Sequence, residues 1–196
     1  MSTMKDCNAI VIGTSSGGLN ALSKVLKPLA RDFPVPILIV QHISPDANDF
    51  MVHHLRKNSN LQIKEADDKD IPEKGWVYIA PPNYHMLVEE ERFLSLAVTP
   101  PENFSRPSID VLFETAADAY TTHLIGIILT GANNDGTKGA IRIKDRKGMI
   151  IAQSPETAEA TMMPQSVIDK NAADIILPLD QIGKYLNTLI LGTSYE

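Results

Sequence analysis

Short apolar runs alternate with stretches of helical periodicity along the whole chain. The first run, Asn8 to Ile12, is β-branched, carries no polar residue after Asn8 and is closed by Gly13. It reads as a strand buried on both faces. Leu19, Leu22, Val25, Leu26 and Leu29 then recur at helical spacing and predict an amphipathic helix from about Gly18 to Ala30, its last turn distorted by Pro28. Ile37 to Val40 is a second buried strand, and a helix is expected from Asn48 to Lys57. Gln62–Glu65 and Trp76–Ala80 read as further strands. His85 to Val98 reads as a hairpin turning at Glu89–Arg92.

Ile109, Leu112, Phe113, Ala116, Ala117 and Tyr120 share one face of a helix that opens after Arg106-Pro107. Ser108 is its expected N-cap, and Asp110 sits in the first turn, where the helix dipole favours a carboxylate. A third buried strand, Leu124–Leu129, precedes a helix from about Thr137 and a strand at Met149–Ala152. Pro164 suits the first helical position. Ile175–Leu177 and a helix through Ile190 complete the pattern. Buried strands alternating with amphipathic helices predict an α/β, doubly wound fold: a mostly parallel sheet with helices on both faces, plus an antiparallel hairpin. The expected organisation is a single domain over residues 1–196.

Composition narrows the functional classes. The net charge is −6 and the 18 basic residues are scattered, which disfavours nucleic acid as the main partner. No apolar stretch approaches the roughly 18 residues of a membrane span, and the N-terminus does not read as a signal peptide. A lone cysteine, Cys7, offers neither an intrachain disulfide nor a metal cluster, and no H-E-x-x-H or paired Cys/His spacing exists. The expectation is a cytoplasmic protein without a bound metal.

In parallel sheets, sites form outside the carboxyl ends of the strands. Three buried strands end there in a conspicuous polar residue: strand one in Ser15, strand two in His42 after Gln41, and the 124–129 strand in Asn133, Asn134 and Asp135. A serine hydroxyl is a poor nucleophile until a base takes its proton, imidazole is the base that works near neutrality, and a carboxylate orients the ring. Gly13-Thr14-Ser15-Ser16-Gly17 also satisfies G-x-S-x-G between a predicted strand and a predicted helix. The Ser16 N–H and a donor from the Gly131–Asn134 loop could face a developing oxyanion.

Each feature alone has a plainer reading. A glycine-rich turn after a first strand is more commonly a phosphate loop, His42 a structural histidine, and Asp135-Gly136 a turn. Their conjunction at one sheet edge is what favours catalysis. His53 and His54 lie within a helix, His123 faces the opposite edge, and His85 is expected to be substrate-side or structural.

Five short motifs then occur in order: Ile12-Gly13-Thr14-Ser15-Ser16-Gly17-Gly18; Gln41-His42; Tyr78-Ile79-Ala80-Pro81 with His85; Arg106-Pro107-Ser108 with Asp110-Val111-Leu112-Phe113; and Ile128-Leu129-Thr130-Gly131 with Asn134-Asp135-Gly136. Together, from about Ala9 to Ile190, they resemble the catalytic domain of the chemotaxis protein-glutamate methylesterases, the CheB family. The resemblance implies a Ser15–His42–Asp135 triad and oxyanion N–H groups at Ser16 and Ala132. It implies methyl-ester hydrolysis and glutamine deamidation on the helical cytoplasmic domains of methyl-accepting chemotaxis receptors, with no cofactor.

Two departures stand out. Where the family has methionine and glycine, this chain has Ala132 and Asn133, and asparagine is a residue that tolerates a left-handed backbone. The family's receiver domain does not precede the catalytic strand in this sequence. The expectation is a stand-alone enzyme, a piece of a larger fusion, or a subunit regulated by a separate receiver or methyltransferase protein. An inactive scaffold and a nucleotide-binding domain are the competing readings.

Overall fold

The computed structural model describes residues 7–42 and 50–192. Seven strands form one parallel sheet: β1 (Ala9–Thr14), β2 (Ile37–Gln41), β3 (Gln62–Glu65), β4 (Trp76–Ile79), β7 (Leu124–Ile128), β8 (Met149–Gln153) and β9 (Ile175–Leu177), in the order β3-β4-β2-β1-β7-β8-β9. β5 (His85–Val88) and β6 (Leu94–Ala97) pair antiparallel as the expected hairpin. The helices are α1 (Gly18–Leu26), α2 (Phe50–Asn58), α3 (Ile109–Tyr120), α4 (Thr137–Asp145), α5 (Met162–Asp169) and α6 (Leu179–Leu191). None is long and apolar enough to cross a membrane among the described residues.

The two-residue period of the strands divides the core into two layers. Ile10, Ile12, Ile37, Ile39 and Ile127 face α1, α2 and α6, together with Leu22, Leu26, Leu55 and Leu186. Ala9, Val11, Leu38, Val40 and Ile128 face α3, α4, α5 and the hairpin, together with Leu112, Phe113, Ile143 and Val167. Every residue of β1, β2 and β7 is buried, which explains their continuous apolar runs.

Two expectations shift, and a third falls partly outside the described residues. α1 ends at Leu26 rather than Ala30, because Pro28 has no N–H to continue it; Leu29 nonetheless stays fully buried. The second helix is seen from Phe50, and Asn48, where it was expected to begin, lies outside the described residues. Pro164 sits third in α5 rather than first; its missing N–H is still one of the first-turn orphans.

The chain order reverses between β1 and β7. Each leaves its residue pairing with the other, and β1 also pairs with β2, so that Thr14 lies opposite Gln41 and Gly13 opposite Ile128. The loops after β1, β2 and β7 therefore emerge side by side at a topological switch point, where α/β sheets bind ligands.

Candidate active site

The turn after β1 is held by its backbone. Ser15 N–H donates to Thr130 O at 2.9 Å, and Gly18 N–H donates to Ser15 O at 2.9 Å. Gly17, at φ 78°, lets the chain reverse into α1. Gln41 Nε2 donates to both Ser15 O and His42 O at 2.8 Å, tying the two turns together. Its amide fills the space a Gly18 side chain would need: a Cβ there would lie 1.8 Å from Gln41 Oε1. The Glu159 side chain packs on Gly17, with its Oε2 2.7 Å from where a Cβ would stand. A carboxylate at this helix start repels a phosphate, which counts against a nucleotide loop.

His42 follows β2, its N–H donating to Thr14 O at 3.0 Å. Its Nε2 lies 2.8 Å from Asp135 Oδ2; the imidazole is 12% exposed and the carboxylate fully buried. Nδ1 is the other ring nitrogen, and Asn133 Nδ2 lies 3.4 Å from it. Asn133 Oδ1 in turn accepts the Asp135 N–H at 3.1 Å. Asn133 is not among the residues with positive φ, so its tolerance of a left-handed backbone is not drawn on, and its side chain is turned to the histidine.

Asp135 is embedded in donors. Oδ2 accepts from His42 Nε2 and, at 2.7 Å, from Ile109 N–H. Oδ1 accepts from Ser108 Oγ at 2.9 Å, Gly136 N–H at 3.0 Å, Asp110 N–H at 3.1 Å and Asn103 Nδ2 at 3.1 Å. Ser108 occupies the expected N-cap position of α3 but does not cap it: its hydroxyl serves Asp135, and the Asp135 carboxylate satisfies the first helical N–H groups in its place. This depends on Ile109 fitting between two glycines, since a Cβ at Gly13 or Gly136 would come within 2.3 or 2.6 Å of Ile109 Cγ2. Burial pushes the Asp135 carboxyl up, but the hydrogen bonds from His42, Ile109 and Asp110 outweigh it and hold the group below the usual carboxylate range.

Asp110 is set the other way. Burial, with the Asp135 charge adding to it, pushes its carboxyl up to about 6 against the hydrogen bonds from Gly139 N–H and Asn103. A folded-state value above the unfolded one means that the native state keeps a proton the unfolded chain has released. Stability from this group is then full below about pH 4 and falls as pH rises towards 6. The two-unit gap corresponds to roughly 2–3 kcal/mol. Asp110→Asn is expected to remove that decline, read as the difference in urea unfolding free energy between wild type and variant from pH 4 to 7.

Ser16 and Ala132, the expected oxyanion residues, are exposed, and among the described residues neither backbone N–H is hydrogen-bonded. Thr130 fixes the loop between them: its hydroxyl donates to Ser16 O at 2.8 Å and accepts the Ala160 N–H at 2.8 Å. His85 is structural. It is fully buried, accepts the Ser108 N–H on Nδ1 at 3.2 Å and contacts Pro100 O through Nε2. Asn103, which bridges Asp110 and Asp135, carried no signal in the sequence, being one polar residue in a loop. A hollow of about 850 Å³ lies elsewhere, lined by Pro34, Pro36, Tyr120 and His123, and holds none of these groups.

A serine beside a His–Asp pair at a sheet edge is an arrangement shared by unrelated folds, so the wider likeness decides the family. The family model for CheB methylesterase matches residues 10–186. The chain belongs to the CheB methylesterase family. A protein of Leptospira interrogans is 47% identical over 176 residues, spanning 90% of this chain and 91% of its own length. The Thermotoga maritima protein named protein-glutamate methylesterase/protein-glutamine glutaminase is 37% identical over 184 residues, covering 92% of this chain but 54% of that protein. The crystal structure of the Thermotoga maritima CheB methylesterase catalytic domain superposes with a TM-score of 0.90 at 36% identity, covering 94% of this chain and 99% of that one. This chain thus corresponds to about half of the longer CheB proteins and to nearly all of their solved catalytic domain.

Proposed function

We propose that this chain is a protein-glutamate methylesterase and protein-glutamine deamidase that acts by acyl transfer, with Ser15 as nucleophile, His42 as base and Asp135 as orienting acid. The observation that carries the reading is the 2.8 Å bond between His42 and a buried, ionised Asp135, formed beside the Ser15 turn within the CheB family fold. The substrate class is glutamyl methyl esters and glutamines on the helical cytoplasmic domains of chemoreceptors. A cytoplasmic location follows from that substrate, and chemoreceptors are the partner class it implies.

The steps balance through one nitrogen. Nδ1 of His42 takes the Ser15 hydroxyl proton while Oγ bonds to the side-chain carbonyl carbon. The carbonyl oxygen becomes an oxyanion, held by the Ser16 and Ala132 N–H groups, while Asp135 stabilises the imidazolium. The carbon–oxygen or carbon–nitrogen bond then breaks, and the leaving methanol or ammonia takes the proton from Nδ1. Water repeats the sequence on the acyl-serine, leaving free glutamate and restored Ser15. Both reactions use one site because both substrates present the same glutamyl carbonyl. The residues involved need no cofactor.

The test is to incubate the protein with a methylated receptor fragment, quantify methanol and new glutamate side chains, and map a fluorophosphonate adduct by mass spectrometry. One methanol per glutamate, and an adduct on Ser15, are expected. An adduct on another residue, or no methanol from a fully methylated fragment, would refute the reading.

A further inference from the structure

We infer that Asn133 is a positioning residue that keeps the base of this site occupied until substrate displaces it. The inference rests on the acyl-transfer reading above and concerns how that site is held at rest. Because Asp135 is a carboxylate accepting from Nε2, the imidazole carries its proton on Nε2 and presents a lone pair at Nδ1. Asn133 meets that lone pair with its amide Nδ2 at 3.4 Å. The direction of the amide is fixed from its other end, where Oδ1 accepts the Asp135 N–H. The donor atom therefore faces the histidine. Among the described residues the Ser15 hydroxyl makes no hydrogen bond to His42, and Nδ1 has Asn133 as its partner.

Nδ1 is the atom through which the proton must pass in both directions, from Ser15 and then to the leaving group. The amide nitrogen of Asn133 occupies the hydrogen-bonding direction that those groups require. It also presents the same functional group, a primary carboxamide, that a receptor glutamine brings to the site, so the resting contact imitates a substrate contact. At 3.4 Å the bond is long and weak, and an incoming glutamyl side chain can replace it at small cost. Asn133 is half-buried, between the exposed Ala132 and Asn134.

The test separates this contact from the turn that Asn133 also makes. Asn133→Ser keeps an oxygen able to accept the N–H two residues on, as asparagine does, but cannot reach His42. The second-order rate of fluorophosphonate labelling at Ser15 is expected to rise roughly two- to tenfold, the weight of one neutral hydrogen bond. KM for methylated receptor is expected to fall by a similar factor with kcat unchanged, since the substrate no longer has to displace the amide. The ¹⁵N resonance of His42 Nδ1, in the uniformly labelled protein at one pH, should move towards that of a free lone pair. Unchanged or slower labelling together with an unmoved Nδ1 resonance would overturn the inference. Methanol release with no response in Asn133→Ser would leave the esterase reading intact and remove Asn133 from it. Faster labelling without methanol release from wild type would support Asn133 and remove the receptor substrate.

Discussion

Ser15→Ala is expected to lower kcat for methanol release on the order of 10⁴- to 10⁶-fold, because the nucleophile and its base act as a unit and neither substitutes for the other. The substitution deletes only Oγ. Ser15 holds the turn through its backbone atoms alone: its N–H donates to Thr130 O, and its carbonyl oxygen accepts from Gly18 N–H and Gln41 Nε2. Stability should therefore stay within about 0.5 kcal/mol of wild type, as for a surface change that touches no buried contact. Measuring kcat alongside the urea midpoint separates loss of chemistry from loss of fold. Activity within tenfold of wild type would remove Ser15 from the nucleophile's role.

Asp135→Asn is expected to cost both activity and stability. An amide offers one acceptor oxygen where the carboxylate offers two, and both oxygens here are fully used. With its nitrogen on the Oδ1 side, the asparagine would face four donors; on the Oδ2 side it faces two, the Ile109 N–H and His42 Nε2. The second arrangement is less costly, and it forces the imidazole proton onto Nδ1, where it blocks proton abstraction from Ser15. An orienting carboxylate replaced by its amide has cost about 10⁴-fold in kcat in a serine protease, and a similar loss is expected here. The stranded Ile109 N–H should lower the unfolding free energy by roughly 1–3 kcal/mol. Near-wild-type kcat would show that the tautomer of His42 does not matter, and with it the proposed role of Asp135 would fall.

The fold was legible because its information is local and periodic. The runs Ile10–Ile12, Ile37–Val40 and Leu124–Ile128 are buried on both faces and so read as strands without any knowledge of their partners. Local chemistry also located the edge of the sheet where Ser15, His42 and Asp135 gather. What could not be read is non-local. Ser108 looks like an N-cap from its neighbours, yet its hydroxyl is drawn to a carboxylate 27 residues on. Asn103 has no signature, since bridging Asp110 and Asp135 depends on where a loop returns in space. Asn133 was readable as a backbone substitute for glycine, but which way its amide points is decided by His42, 91 residues away. The close seat of Ile109 on Gly13 and Gly136 joins three separate motifs, each unremarked by the others' sequence.

Asp135 holds the start of α3 as firmly as it holds His42, and this has an evolutionary consequence. A descendant that no longer needed the reaction could lose Ser15 at almost no structural cost, and His42 at the loss of one of the carboxylate's donors. It could not easily lose Asp135, because the five other donors, from Asn103, Ser108, Ile109, Asp110 and Gly136, would be stranded. Retention of the aspartate is therefore poor testimony that a relative is alive as an enzyme. On the proposed mechanism, positions 15 and 42 are the ones to inspect when degenerate copies of this fold are sorted from working ones, with the aspartate persisting as a fossil of the chemistry.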